Sequence, residues 1–131
     1  MANINEYGYQ SIRQYVIDSW KFVELQDEDG ETVKRFMEKR VKVGTDGMGR
    51  PIYETEPGAT ISGDPTTQTI TLTVVASGDE FTGKTVAKVA LFDVDTGGKP
   101  IASESLSNSF TFESAEDELT VNFNLQIPKV N

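Results

Sequence analysis

A chain of 131 residues with a net charge of −9, 37% apolar and 9% aromatic, has the size of one domain and enough apolar content for a modest core. It holds neither cysteine nor histidine, which excludes disulfide frameworks, thiolate metal sites, imidazole general-base catalysis and the Ser-His and Cys-His nucleophile pairs. The acidic balance, −4 over residues 1–65 and −5 over 66–131, opposes general nucleic-acid binding, and no apolar run nears the ~18 residues that span a bilayer.

The first eight residues lack the basic-then-apolar order of a secretory leader, so synthesis in a reducing cytoplasm is expected. Residues 3–19 are expected to form an amphipathic helix. Asn3 precedes Glu6 by the spacing of a capping box. Ile12, Tyr15, Val16 and Trp20 follow helical spacing, and Ile4, Tyr7 and Tyr9 extend the apolar face. Arg13, Gln14, Asp18 and Lys21 are assigned to solvent, and Gly8, costing roughly 1 kcal/mol against Ala, is expected to fray the first turn. Residues 20–25 and 32–36 read as the two strands of a hairpin, with Asp29-Gly30 as its tight turn. Val33, Phe36, Met37 and Val41 also fit a helical stripe, but the turn residues lie between two β-capable runs and favour the hairpin.

Residues 44–67 hold five of the eleven glycines and three of the five prolines, and are expected to be a long loop with short strands near 52–54 and 59–61. From there strands are expected at 69–75, 85–92, 100–105, 109–113 and 118–127. Turns at 77–79, 95–98, 107–108 and 114–117 separate them, the spacing of an antiparallel sandwich. The last strand is the clearest: Leu119, Val121, Phe123, Leu125 and Ile127 alternate with polar residues, as Ile70, Leu72 and Val74 do upstream. The expected fold is mainly β, an antiparallel immunoglobulin-like β-sandwich with an N-terminal α-helix and β-hairpin. Its expected units are a helix-hairpin for attachment and oligomerisation over 1–43, a Gly/Pro-rich loop over 44–67 and the sandwich over 68–131.

Motifs that carry chemistry are few. Asp93 and Asp95 precede Gly97-Gly98 in the manner of a calcium loop, but such a site takes six to eight oxygens and Glu104 falls outside the register. A polar turn with glycines at positive φ is the preferred reading, and the same holds for Asp27 to Glu31. Lys34, Arg35, Lys39, Arg40 and Lys42 form the single basic cluster, either a solvated face balancing nearby acids or a dock for an acidic partner such as a second copy. Nothing selects a carboxylate pair for glycoside hydrolysis among the 21 acids. The chain is therefore expected not to be an enzyme and to need no cofactor or metal. Tyr9, Tyr15 and Trp20 are read first as the seam between helix and sheet, with an exposed contact patch as the other reading.

Two stretches carry a resemblance. One leads from the N-terminal helix through Trp20-Lys-Phe-Val-Glu-Leu-Gln-Asp-Glu-Asp-Gly-Glu-Thr-Val-Lys-Arg-Phe36. The other is Lys88-Val-Ala-Leu-Phe-Asp-Val-Asp-Thr-Gly-Gly-Lys-Pro-Ile-Ala102, followed by a strand, an acidic turn and Leu119-Thr-Val-Asn-Phe123. Together they are similar to small structural proteins of tailed-bacteriophage virions, of the tail-fibre, tail-appendage and head-decoration type. Ala90 stands where many relatives carry glycine, and Glu116-Asp117-Glu118 replaces their Gly-Asp turn. The resemblance implies a non-enzymatic virion component made in the host cytoplasm and placed at the tail or neck, on an appendage, or on the capsid as decoration. Its partners would be other virion proteins and further copies in a homo-oligomer, with no role for nucleic acid or membrane. The expected contact residues are Tyr9, Tyr15, Trp20 and Phe36 in the helix-hairpin unit and Met48, Arg50 and Tyr53 in the Gly/Pro-rich loop. The segment from Lys88 to Lys99 also resembles the start of a CnaB-type immunoglobulin-like domain of bacterial surface adhesins. That likeness implies an intramolecular isopeptide bond from Lys84 or Lys88, although the family's late glutamate has no counterpart here.

Overall fold

The computed structural model describes residues 2–128; residue 1 and residues 129–131, which the expected first and last units include, lie outside the described residues. In chain order the elements are α1 (Glu6–Ser19), β1 (Phe22–Gln26), β2 (Thr32–Phe36), β3 (Lys39–Thr45), β4 (Pro51–Glu56) and β5 (Thr60–Ser62). Then come β6 (Thr69–Ser77), the single-turn α2 (Gly78–Phe81), β7 (Thr85–Phe92), β8 (Ala102–Thr111) and β9 (Glu118–Gln126). The strands form a four-stranded sheet in the order β2-β1-β7-β8, a three-stranded sheet β5-β6-β9 and a separate pair β3-β4. Every pairing is antiparallel. The protein is thus mainly β with an N-terminal helix, as expected.

Alternation builds the core. Ile70, Leu72, Val74 and Ala76 of β6 and Val121 and Phe123 of β9 face Val23, Leu25, Val86, Val89 and Leu91 of the larger sheet, and all are buried in one cluster. A side chain of this size, fully buried, contributes about 1.5–3 kcal/mol relative to its exposed state. Phe112 closes one end, its ring 5.0 Å from Phe110 and 5.8 Å from Phe81.

Strand order departs from the expected immunoglobulin-like arrangement. An immunoglobulin constant domain puts its first, second, fourth and fifth strands in one sheet and its third, sixth and seventh in the other. Of the seven strands in the two large sheets here, the first, second, fifth and sixth share one and the third, fourth and seventh the other. Regular turn spacing specifies how many strands there are, but not which of them pair. Pairing also crosses the expected division of the chain: β1 lies in register with β7, Val23 opposite Leu91 and Leu25 opposite Val89. The helix-hairpin segment therefore supplies half of the larger sheet.

Three local features differ from expectation. The helix starts at Glu6 with Asn5 as its N-cap, two residues after the anticipated Asn3. Gly8 does not simply fray that turn: a Cβ there would stand 2.8 Å from Ile4 Cγ2, so its bare backbone makes room for Ile4. Residues 100–105 and 109–113, expected as two strands, form largely the one strand β8, whose register shifts between the pairs Val86–Phe110 and Lys88–Ser105. Ser107-Asn108 sits in that irregularity and makes no hairpin turn. The β1-β2 connection is a three-residue loop: Asp27 N donates to Glu31 O at 2.9 Å, Gly30 N to Asp27 O at 3.1 Å, and Gly30 takes φ 81°. This is the type I turn with a following left-handed residue, a common hairpin connection.

Candidate interaction surface

The β3-β4 hairpin crosses an expected boundary: β3 begins within the 1–43 unit, while its turn and β4 fall in the 44–67 segment, where β4 covers the short strand expected near 52–54. Its tip repeats the turn of the first hairpin. Asp46 N donates to Arg50 O at 2.8 Å, Gly49 N to Asp46 O at 3.1 Å, and Gly49 takes φ 80°. In both turns the leading aspartate Oδ1 accepts two backbone N–H groups, from Asp29 and Glu31 in one and from Met48 and Arg50 in the other. The Asx geometry satisfies donors that a strand end would otherwise leave to water. The pairing skips Val43 between Lys42–Tyr53 and Gly44–Ile52, a bulge that bends the ribbon.

This ribbon leaves apolar groups open. Met48 is 78% exposed, Val43 51%, and Ile52 and Tyr53 43% each. The Arg40 guanidinium stacks 3.9 Å from the Tyr53 ring centroid, and Arg50 Nη2 lies 3.5 Å from Met48 Sδ. Exposed cation–π pairs of this kind contribute about 0.5–1 kcal/mol. A second open apolar surface runs along α1, where Ile4, Tyr7, Ile12 and Tyr15 are exposed.

The expected contact residues divide between these surfaces and the core. Met48, Arg50 and Tyr53 gather on the β3-β4 ribbon, and Tyr15 stands exposed on the helix. Tyr9 and Trp20 are half-buried against the core, and Phe36 is buried within it, so it offers no open contact surface. Val43 and Ile52 complete the exposed set of the ribbon, and Ile4, Tyr7 and Ile12 that of the helix. Tyr7 could have been paired with Tyr15, eight residues on and on the same helix face.

Arg13 reverses the solvent assignment made from sequence. Its side chain has 0% exposure; Nε donates to Pro65 O and Nη1 to Pro128 O, each at 2.6 Å, and Nη2 pairs with Glu6. It thereby ties α1 to the segments that precede β6 and follow β9. Position 13 falls on the buried stripe of Tyr9, Val16, Ile17 and Trp20, and that spacing was the available signal.

A second charged tie sits at the base of the ribbon. Lys34 Nζ reaches Glu56 at 2.6 Å and Glu80 at 3.1 Å, and lies over the Phe36 and Phe81 rings. Partial burial acts to lower the pKa of this ammonium, but the hydrogen bonds and charges of Glu56 and Glu80 outweigh it and hold the group above its ordinary value. Lys34, Phe36, Glu56 and Glu80 border an open groove of about 830 Å³ that also carries Glu54 and Asp79. Of the basic run, Lys34 and Arg35 are engaged in such ties, Arg40 and Lys42 are exposed on the ribbon, and the Lys39 side chain lies outside the described residues.

Asp93 and Asp95 are exposed, and the turn they open is organised by an arginine. Arg35 Nη1 donates to the carbonyls of Val94 at 3.1 Å and Gly97 at 2.8 Å, and its guanidinium lies 3.6 Å from the Phe92 ring centroid. Gly97 and Gly98 take positive φ, the expected polar turn. Lys88 stands opposite Gln26 and Ser105 in the larger sheet and borders a depression with Glu104. Among the described residues no group of three or more metal-ligating side chains converges. Compared with protein-family models, curated proteins and solved structures, the chain gives no match.

Proposed function

We propose that the protein is a non-enzymatic structural subunit of a tailed-bacteriophage virion, incorporated through protein–protein contacts at the tail or neck or on an appendage. The observation that carries the assembly half of this reading is the β3-β4 ribbon. It is a two-stranded sheet outside the main sandwich that leaves Val43, Met48, Ile52 and Tyr53 open. An isolated two-stranded hairpin is marginal in water, and an apolar group of this kind gains most when a partner covers it. The aromatic, methionine and arginine content of the ribbon matches the residue types enriched at protein interfaces. The virion setting rests on the likeness of residues 20–36 and 88–102 to small phage structural proteins. Capsid decoration is the nearest variant of the same reading, since it uses the same contacts on a different surface.

Immunogold electron microscopy on particles of a phage that encodes this chain tests the proposal. Label at a defined place on the particle is expected, and its place separates tail from capsid. Label confined to the lysed host's soluble fraction, with bare particles, would overturn it.

A further inference from the structure

The two large sheets have four edges, and three carry a device that discourages strand addition. β5 is only three residues long. β8 is broken by its register shift, and β2 presents Lys34 and Arg35. β9 carries none of these. It pairs with β6 without interruption from Glu118 to Gln126, contains no lysine and no proline, and has Glu118 as its single charge.

Two hydrogen bonds set the phase of its ladder. Ile127 N donates to Gln68 O at 3.0 Å, and Gly78 N donates to Asp117 O at 2.7 Å, both in the β6-β9 register. Odd-numbered residues of β9 therefore turn their backbone groups to β6, and even-numbered ones turn theirs to the free edge. Among the described residues no other element bonds to the edge-facing groups of Thr120, Asn122, Asn124 and Gln126. The side chains of these four residues are exposed on the outer face, where Asn122 and Asn124 accept from Thr73 and Thr71.

We infer that β9 pairs antiparallel with β9 of a second copy about a two-fold axis, joining two three-stranded sheets into one of six strands. It rests on the proposed function and deepens it: the protein–protein contacts proposed there include further copies of this chain, and β9 is the surface those copies use. The strand is complementary to itself. With the axis at any residue, odd positions oppose odd and even oppose even, so Leu119, Val121, Phe123 and Leu125 meet only one another on the inner face. Thr and Asn likewise meet their own kind outside. An axis at Asn122 gives full overlap and about ten backbone hydrogen bonds. Glu118 then lies opposite Gln126 of the second copy. No carboxylate faces a carboxylate along the seam, although each chain carries −9.

The test uses the full chain across micromolar to millimolar concentration, with light scattering for mass and amide hydrogen exchange by NMR. A dimer is expected in which the amides of Thr120, Asn122, Asn124 and Gln126 exchange at least about tenfold more slowly than in dilute monomer. Asn122→Pro removes an edge-facing N–H and none of the bonds to β6, and is expected to halve the mass with an unchanged far-UV spectrum. The wild-type exchange pattern decides the matter even if that variant folds poorly. A dimer whose edge amides stay fast overturns the β9 seam and leaves self-assembly through the ribbon or helix standing. A monomer throughout overturns the seam and also removes self-assembly from the proposed function, leaving contacts with other virion proteins.

Discussion

A guanidinium with no solvent exposure must recover from the protein every hydrogen bond it gave up in water. Arg13 does so with two proline carbonyls and Glu6, and the choice of acceptors explains its position. Neither carbonyl belongs to a strand ladder, so each would need another donor if the arginine were absent. Arg13→Met keeps most of the aliphatic packing and leaves both acceptors and Glu6 without this donor. A loss of about 2–4 kcal/mol is expected in urea unfolding, the range for breaking a buried, hydrogen-bonded charge tie. A loss below about 0.5 kcal/mol, the ordinary range for a surface position, would show that the tie contributes little. The residue was legible by its spacing and illegible by its type. Position 13 belongs to the stripe of Tyr9, Val16, Ile17 and Trp20, but a charged side chain is assigned to solvent unless its partners are known. Its two carbonyl partners lie 52 and 115 residues away in sequence.

At the scale of elements, strands with their own alternation or their own turn were the readable ones. β9 follows period two without a miss and β6 does so apart from the outward Val75, and Asp27 to Glu31 announces a hairpin. The segment Asp46-Gly-Met-Gly-Arg50 makes the same turn with an aspartate in the same place, yet the sequence shows only short strands near 52–54 and 59–61 in a long loop and does not show β3. Gly44, Gly47, Gly49 and Pro51 mask strand propensity, and a mostly exposed ribbon has no buried face to impose alternation. β8 failed for a related reason: Ser107-Asn108 has turn chemistry but is accommodated as an irregularity on an edge. Met48, Arg50 and Tyr53 were thus found as exposed loop residues, while Val43 and Ile52 need the hairpin register to be seen.

Lys34 binds three of these elements together, β2 through its own backbone, β4 through Glu56 and α2 through Glu80. Its folded-state pKa is raised, so its contribution is fully present below the unfolded-state value and is lost as pH rises through the folded-state value. Stability is therefore expected to fall above about pH 10.5, the ordinary lysine value, in part through this group. Lys34→Met should show a shallower alkaline decline in thermal midpoint than wild type. Identical slopes would contradict the assignment.

For the whole molecule, the pairing of β1 with β7 is the decision that local patterns could not convey. The two strands lie more than sixty positions apart, and nothing in either names the other. That pairing places the helix-hairpin segment inside the sandwich and leaves the β3-β4 ribbon as the part standing outside it. The molecule then presents an acidic body, an apolar and partly basic ribbon, and one uninterrupted edge with a single charge, Glu118. Under the proposed function, the ribbon and the edge are the surfaces that neighbouring subunits cover. The most direct measurement is incorporation of a ribbon variant into particles. Val43→Thr, Ile52→Thr and Tyr53→Thr together retain strand propensity while removing three of the four open apolar groups. The account predicts that this variant folds with a thermal midpoint close to wild type and enters particles at least about tenfold less often, as expected when several interface anchors are truncated. Equal incorporation of the two proteins, copy for copy, would contradict it.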